Sequence, residues 1–431
     1  MGTEQILNKK RIATLTLGCK VNQYETDSMR ELLEIEGCKF VDFTQEADIY
    51  LVNTCSVTNM AERKSRQMLH RAKKQNPNAI VVAAGCYVQA AGQELLDDLS
   101  VDLVIGNNCK KNIVGILEAF LENRNRKSEM ITIGDAKEYE RLRITHMQEH
   151  TRSYIKIQDG CNQFCSYCII PYVRGRIRSR EPEEILEEVR QLAANGCKEV
   201  ILTGIHLSSY GKDWNEDSFA LINVINQICQ VEGIVRIRLG SLEPRIITTE
   251  FVDALKSNSK VCPHFHLSLQ SGCNETLARM NRKYTIEEYM ESCKLLRQAY
   301  DRPAITTDVI VGFPGETEEE FEITCANLEQ LQLYEMHIFK YSVRRGTVAE
   351  KLPNQVPEQE KARRSEILLA MTARQKQAYE DSFHGEPVQV LIEERVEKEG
   401  KDWYVGHTER YMKVEVQSEN DIRNQMVEKV L

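Results

Sequence analysis

Residues 154–168 read YIKIQDGCNQFCSYC. Tyr154–Gln158 alternate in the manner of a buried strand, and Cys161, Cys165 and Cys168 follow at once. Three thiols within eight residues can wrap one compact cofactor, and three protein ligands leave its fourth coordination position open. A structural zinc site closes that position, and no further Cys or His follows at finger-like spacing. An iron–sulfur cluster held by thiolates fits the spacing better.

Outward from this loop the chain repeats itself in kind. Strand-like runs recur at Val200–Leu207, Val235–Leu239, Phe265–Leu269, Ala304–Val311 and Met336–Tyr341. Between them lie amphipathic stretches near 182–195, 219–231, 247–257, 286–299 and 317–331. With Tyr154–Gln158 this makes six βα units, which predict an open or partial barrel rather than a closed eight-fold one. Upstream, the apolar runs Ile12–Leu17, Ile49–Val52, Ile80–Ala84 and Leu103–Ile105 each precede a charged helical stretch, the rhythm of a parallel sheet with helices packed on it. Residues 122–151 read as a polar connector. Beyond a charged helix at about 358–381, the pieces Val388–Ile392, Trp403–Val405 and Met412–Val416 suggest a small β-barrel.

The bulk composition bounds the rest. A 431-residue chain exceeds one ordinary core, so two or three domains are expected. It is 42% hydrophobic and 28% charged, with no run of the ~20 apolar residues that a membrane span needs. The first residues lack a secretory pattern, so a cytoplasmic protein is expected and its 14 cysteines read as metal-binding or buried thiols rather than disulfides. The formal charge of −9 argues against nucleic acid in bulk, yet residues 61–74 alone carry six Lys/Arg against one Glu. Phosphate contact needs only such a local face.

The CxxxCxxC loop after a first strand resembles the radical S-adenosylmethionine (SAM) superfamily. That resemblance implies a [4Fe–4S] cluster on Cys161, Cys165 and Cys168 whose open iron chelates SAM, and cleavage of a C–S bond to a 5′-deoxyadenosyl radical. It implies further SAM contacts at Tyr167, at Thr203 and Gly204, at Gln270 and Ser271, and at Asp308, Ile310 and Gly312 in the run DVIVGFPG.

Cys19, Cys55 and Cys86 each directly follow a predicted strand. The carboxyl ends of parallel strands share one edge, so three such loops can converge on one crevice. Position excludes Cys38 but leaves Cys109 open. The segments GCKVNQYETD, NTCSVT and GCYVQ are similar to the cysteine segments of the methylthiotransferase family. That resemblance selects Cys19, Cys55 and Cys86 as holders of a second [4Fe–4S] cluster, a sulfur carrier. It implies α/β architecture: a doubly wound N-terminal parallel-sheet domain (9–121), a central partial (βα)6 radical SAM barrel (147–375) and a small C-terminal β-barrel of the TRAM type (376–431), abbreviated at its end. It also implies a monomer, a flavodoxin- or ferredoxin-type electron donor, and tRNA as partner. The reaction implied is methylthio transfer to carbon 2 of a modified adenosine beside the anticodon. Replacing hydrogen on an aromatic carbon by sulfur has no usable polar leaving group, which suits radical chemistry carried by a cofactor.

The strings GCKVNQYET and IQDGCNQFC look most like the threonylcarbamoyladenosine group of that family. The rival substrates are isopentenyladenosine and a ribosomal-protein aspartate, and a rival of another class is a non-catalytic Fe–S RNA-binding redox sensor. No residue is marked as a general acid or base. Arg174, Arg176, Arg178 and Arg180 follow the cluster loop and match an RGxxxSR pattern. If extended they would project together, which suits a substrate phosphate or carboxylate. In the C-terminal module, where 11 acidic residues face seven basic ones, Lys401, Arg410, Tyr411 and Lys413 are the candidates for an RNA face.

Overall fold

A computed structural model describes residues 6–123, 127–146, 151–214, 219–398 and 400–431. The chain divides into two compact units. One comprises Met1–His146, Lys156–Glu184 and Ser342–Glu350; the other comprises Met147–Ile155, Ile185–Tyr341 and Lys351–Leu431.

The first unit is built on β1 (Arg11–Thr16), β2 (Lys39–Val41), β3 (Ile49–Thr54), β4 (Ile80–Gly85), β5 (Leu103–Ile105) and β6 (Lys127–Glu129). All pair in parallel, in the order β2-β1-β3-β4-β5-β6. Their side chains alternate between two cores. Ile49, Leu51, Val82 and Ile105 pack with Met29 and Leu33 of the helix Lys20–Ile35 and with Ile116 and Phe120 of the helix Ile113–Asn123. Tyr50, Val52, Val81 and Val104 pack instead with Leu69 and Ala72 of the helix Asn59–Gln75. A sheet buried on both faces reads as near-continuous apolar runs, which is why these strands stand out in the sequence. The two edge strands, β2 and β6, are only three residues each, and β6 is polar, so they do not.

β7 (Arg152–Asp159) carries the chain between the units, and its Gln158 and Asp159 pair antiparallel with β8 (Arg178–Ser179). The second unit continues with β9 (Glu199–Gly204), β10 (Arg236–Leu239), β11 (His264–His266), β12 (Ala304–Val311) and β13 (Glu335–Lys340). β9 and β10 pair in parallel, as do β11, β12 and β13, and bridges Ile237↔Val261 and Leu242↔Leu267 join the two sets. Counted with β7, these are the six strands of the expected partial barrel. The helices Ile286–Ala299 and Glu318–Leu331 both begin with a capping box, at Thr285 and Thr317.

The helix Glu358–Asp381 leads to an antiparallel sheet of β14 (Pro387–Lys398), β15 (Lys401–Thr408), β16 (Lys413–Gln417) and β17 (Met426–Val430), ordered β16-β15-β14-β17. It curls around Val390, Ile392, Tyr404 and Val414, consistent with a small barrel. β17 was not anticipated from the sequence. Nor were the roles of Arg410 and Tyr411. Arg410 lies over Phe383 and donates to the Arg302 carbonyl (3.1 Å). The Tyr411 ring stacks on His264 and His407 and lies under Arg152 and Arg238. Both serve to fasten the module; Lys401 and Lys413 stay exposed.

Candidate functional site

β1, β3 and β4 are neighbours in the sheet, so the loops leaving their carboxyl ends emerge side by side. Cys19 caps the helix Lys20–Ile35, Cys55 directly follows β3, and Cys86 opens the helix Cys86–Ala91. Asn22 binds two of these loops together, donating to the carbonyls of Leu17 (2.7 Å) and Thr54 (2.9 Å). The thiols sense one another. Burial pushes the Cys55 thiol up to about 11, and Cys86 and Cys19 add to the rise. Cys19 is raised too, by desolvation, against the pull of Arg174 and with a contribution from Cys86. Cys19 lies at the exposed rim of the set, its thiol still crowded closely enough by protein to be desolvated, whereas Cys55 and Cys86 are buried.

The donors around Cys86 suit an anionic sulfur. Arg174 Nε lies 3.2 Å and Asn107 Nδ2 3.7 Å from its Sγ. A thiol sulfur is a weak acceptor, whereas a thiolate ligand matches a guanidinium donor well. Cys109, left open by its position, instead caps a short turn at Lys110–Asn112, and its thiol is raised by burial and by Glu140.

In the Cys161–Cys168 loop all three cysteines are half-buried. Cys161 takes its fold from a bond of its N–H to the Gly175 carbonyl (3.0 Å), and its Sγ accepts the Gln163 N–H (3.4 Å). Phe164 adopts φ 50°, in the left-handed region, and Ala349 N–H anchors the loop at the Ser166 carbonyl (2.7 Å). Tyr167 is half-buried beside Cys168. Among the described residues, the one set of three His, Cys, Asp or Glu ligand atoms within 4.8 Å of one another is His266, Asp308 and His337.

The two cysteine sets occupy one unit, and their surroundings meet. Cys86 packs against Ile169, which directly follows Cys168, and against Val173, at the end of the next helical turn. A cavity of about 630 Å³ opens at this place, with Tyr87, Gln89 and Glu94 on one side and Ile169, Tyr172 and Val173 on another. Asn59, Glu62 and Arg66, on the basic helix, and Arg344 and Arg345, after β13, complete it. Arg66 lies over the Tyr87 ring (5.6 Å) and donates to its hydroxyl (3.2 Å). Arg344 is held by Asn59 (2.8 Å) and Glu62, while Arg345 is exposed. Sequence reasoning missed Arg344 and Arg345, although a paired arginine just past a barrel strand is a usable signal.

The expected fan of four arginines is not formed. Gly175 at φ 74° turns Arg174 away from the rest, and only Arg178–Ser179 are strand, so alternation does not hold along the run. Arg174, Arg178 and Arg180 are buried, at 0%, 1% and 3% exposure. Arg176 alone of the four is exposed, and it stacks over Phe164 (4.5 Å). Arg174 instead joins a buried network with Glu25, Asp159, Lys156 and Lys110, none of which the sequence marked. Lys156 is a lysine inside an apolar strand, which was the available hint.

In the second unit, Thr203 is buried and, with Gly204, ends β9. Gln270, at φ 74°, is tied to β12 by its N–H to the Asp308 carbonyl (2.9 Å) and by the Ile310 N–H to its own carbonyl (2.8 Å). Gln270, Asp308 and Ile310 are thus brought together. The Asp308 carboxylate faces His266 Nε2 (3.3 Å). Ser271 is fully buried and turns its hydroxyl toward Thr324 (3.4 Å). Gly312 donates its N–H to Glu316 (2.5 Å), which is paired with Arg364 (2.7 Å).

Comparison with known proteins agrees with this geometry. Residues 155–328 match the model of the radical SAM superfamily, and residues 11–106 match that of the uncharacterized protein family UPF0004. The chain is 40% identical to the threonylcarbamoyladenosine tRNA methylthiotransferase MtaB of Bacillus subtilis, over 96% of this chain and 92% of that protein. It is 35% identical to a tRNA-2-methylthio-N(6)-dimethylallyladenosine synthase of Pelotomaculum thermopropionicum, over 89% of this chain and 87% of that one. In fold it is similar to the radical SAM methyltransferase TsrM of Kitasatospora setae, with a TM-score of 0.55 at 16% identity, covering 77% of this chain and 72% of that one. Radical SAM membership implies SAM and a [4Fe–4S] cluster, and among the described residues no helix is long and apolar enough to cross a membrane. The chain is a radical SAM enzyme and belongs to the tRNA methylthiotransferase family.

Proposed function

We propose that this enzyme transfers a methylthio group to carbon 2 of N6-threonylcarbamoyladenosine beside the anticodon of tRNA. Cys161, Cys165 and Cys168 would hold the cluster that binds SAM, and Cys19, Cys55 and Cys86 a second one. When bound, the first supplies one-electron cleavage of SAM and the second supplies the sulfur. The observation that carries the reading is the cavity itself, bordered by Tyr87, next to Cys86, and by Ile169, next to Cys168.

The side chains there divide the work. Tyr87 and Tyr172 offer aromatic faces for a base. Ile169 and Val173 keep water from the Cys86 side. Arg66 presents a cation to the mouth, where a threonylcarbamoyl carboxylate would pair with it, and the exposed Arg345 offers one to the RNA backbone outside. A dimethylallyl group would call for apolar walls, and Asn59, Gln89 and the arginines are not that. Tyr167, Thr203, Gly204, Gln270, Asp308, Ile310 and Gly312 are the proposed SAM contacts. The division of labour follows segments 9–121, 147–375 and 376–431, in a cytoplasmic monomer reduced by a flavodoxin- or ferredoxin-type donor.

Nucleoside analysis of tRNA from a strain lacking this protein tests the substrate. Loss of 2-methylthio-N6-threonylcarbamoyladenosine, with its unthiolated precursor accumulating, is expected. Unchanged levels, with the 2-methylthio isopentenyl derivative missing instead, would reassign the substrate.

A further inference from the structure

Every nitrogen of the buried Arg174 guanidinium is engaged. Nη1 reaches Glu25 (2.8 Å) and both Asp159 oxygens (3.2 Å), and Nη2 reaches Asn22 (2.7 Å) and Glu25 (3.1 Å). Nε points at the sulfur of Cys86 (3.2 Å). One side chain therefore touches the asparagine that joins the Cys19 and Cys55 loops, a ligand of the same set, and the aspartate two residues before Cys161.

Charge around it points the same way. Glu25 holds Lys110 (2.9 Å) as well as Lys156 (2.8 Å), and Arg178 lies 3.7 Å from Asp159. Glu140 also acts on Lys156. Among the described residues of this network, the buried cations Lys110, Lys156, Arg174 and Arg178 face the carboxylates Glu25, Asp159 and Glu140, so one positive charge is left over. Uncompensated buried charge is expensive. An iron–sulfur core on three thiolates carries net negative charge and would balance it; three neutral thiols would not.

We infer that Arg174 is a positioning residue of the N-terminal cluster: its Nε–H bonds the Cys86 thiolate and raises that cluster's reduction potential, while its bond to Asp159 ties the same guanidinium to the strand end that launches the Cys161 loop. The inference rests on the proposed second cluster. A donor on a ligand sulfur stabilises the reduced, more negative state, so its removal lowers the potential.

The full-length chain carrying Cys161→Ala, Cys165→Ala and Cys168→Ala, reconstituted anaerobically, is expected to hold roughly four irons, all on the N-terminal set. An EPR-monitored redox titration then reads one couple. In that background R174K keeps the charge but lacks the Nε–H. It should retain the iron and shift the reduction equilibrium at least tenfold toward the oxidised state, about 59 mV for one electron. In the complementary chain (Cys19, Cys55 and Cys86 to Ala), R174K should leave the midpoint of the Cys161-loop cluster where it was. An unmoved N-terminal midpoint, or equal shifts in both clusters, would overturn the inference. Should R174K fail to fold, ENDOR spectroscopy of the first triple variant labelled with 15N-arginine must show a hyperfine coupling from an arginine nitrogen to the reduced N-terminal cluster; its absence overturns the inference equally. If the first triple variant binds no iron with Arg174 intact, the second-cluster reading itself fails, a result distinct from any shift.

Discussion

Gly160 stands between β7 and the cysteine loop at φ 71°, and a Cβ on it would overlap the Arg176 carbonyl oxygen. Both the backbone conformation and the space therefore forbid a side chain. G160A is expected to cost at least about 2 kcal/mol of stability, since the obstacle is backbone and cannot swing aside. It should also lower the iron held on the Cys161 loop, checked by thermal unfolding and iron content after reconstitution. Wild-type values for both would contradict the argument. At this scale the six cysteines were legible because a thiol's chemistry is its own and its spacing is short. The network around Arg174 was not legible: Glu25 and Lys156 meet across 131 residues of sequence. The arginine run was misread because periodicity assumes unbroken strand, whereas Gly175 turns the chain and only Arg178–Ser179 are extended strand.

Among the elements, the C-terminal sheet shows how a module is fastened by residues outside it. Arg236 donates to the carbonyls of His407 (3.0 Å) and Gln389 (2.7 Å), and Arg238 to those of Glu409 (2.9 Å) and Thr408 (3.2 Å). Arg238 also pairs with the buried Glu199 (2.9 Å). Burial is the largest single influence and opposes ionisation of that carboxyl, but Arg238, joined by Arg152 and Arg236, holds the group below its ordinary range. R238A would leave Glu199 with Arg152 and Arg236 only at 3.9 Å. Removing one partner of a buried pair costs about 3–5 kcal/mol, and the lower end is expected here because those two cations remain. Urea unfolding followed by Trp403 fluorescence, in a chain whose other tryptophan is replaced (W214F), should show the β14–β17 sheet loosening first; a single transition at the wild-type midpoint would refute the clamp. Strands buried on both faces and the capped helices were readable in the sequence, whereas β2, β6 and β17 were not, being short or charged with no apolar run of their own.

For the whole molecule, the formal charge of −9 poses the problem of how the proposed tRNA is held. Bulk attraction to phosphate is absent, so affinity must come from a few placed cations. Arg410 is engaged in fastening the C-terminal sheet, which removes one candidate from that surface. Exposed cations on the cavity or on the cysteine loop beside it include Arg66, Arg345 and Arg176. Two of them sit by aromatic rings, Arg66 over Tyr87 and Arg176 over Phe164, an arrangement that serves single-stranded loops rather than duplex. Binding of a threonylcarbamoyl-modified anticodon stem-loop should accordingly show a shallow dependence on salt, with a log–log slope equivalent to only a few phosphates. R345A should weaken binding several-fold and reduce that slope by about one contact. K401A and K413A, far along the chain on the C-terminal sheet, separate the two surfaces: if they remove more affinity than R345A, the RNA is gripped by the C-terminal module and the cavity arginines serve the nucleoside alone. Fluorescence anisotropy between about 50 and 200 mM salt resolves these cases, and a slope untouched by R345A would show that its guanidinium meets no phosphate.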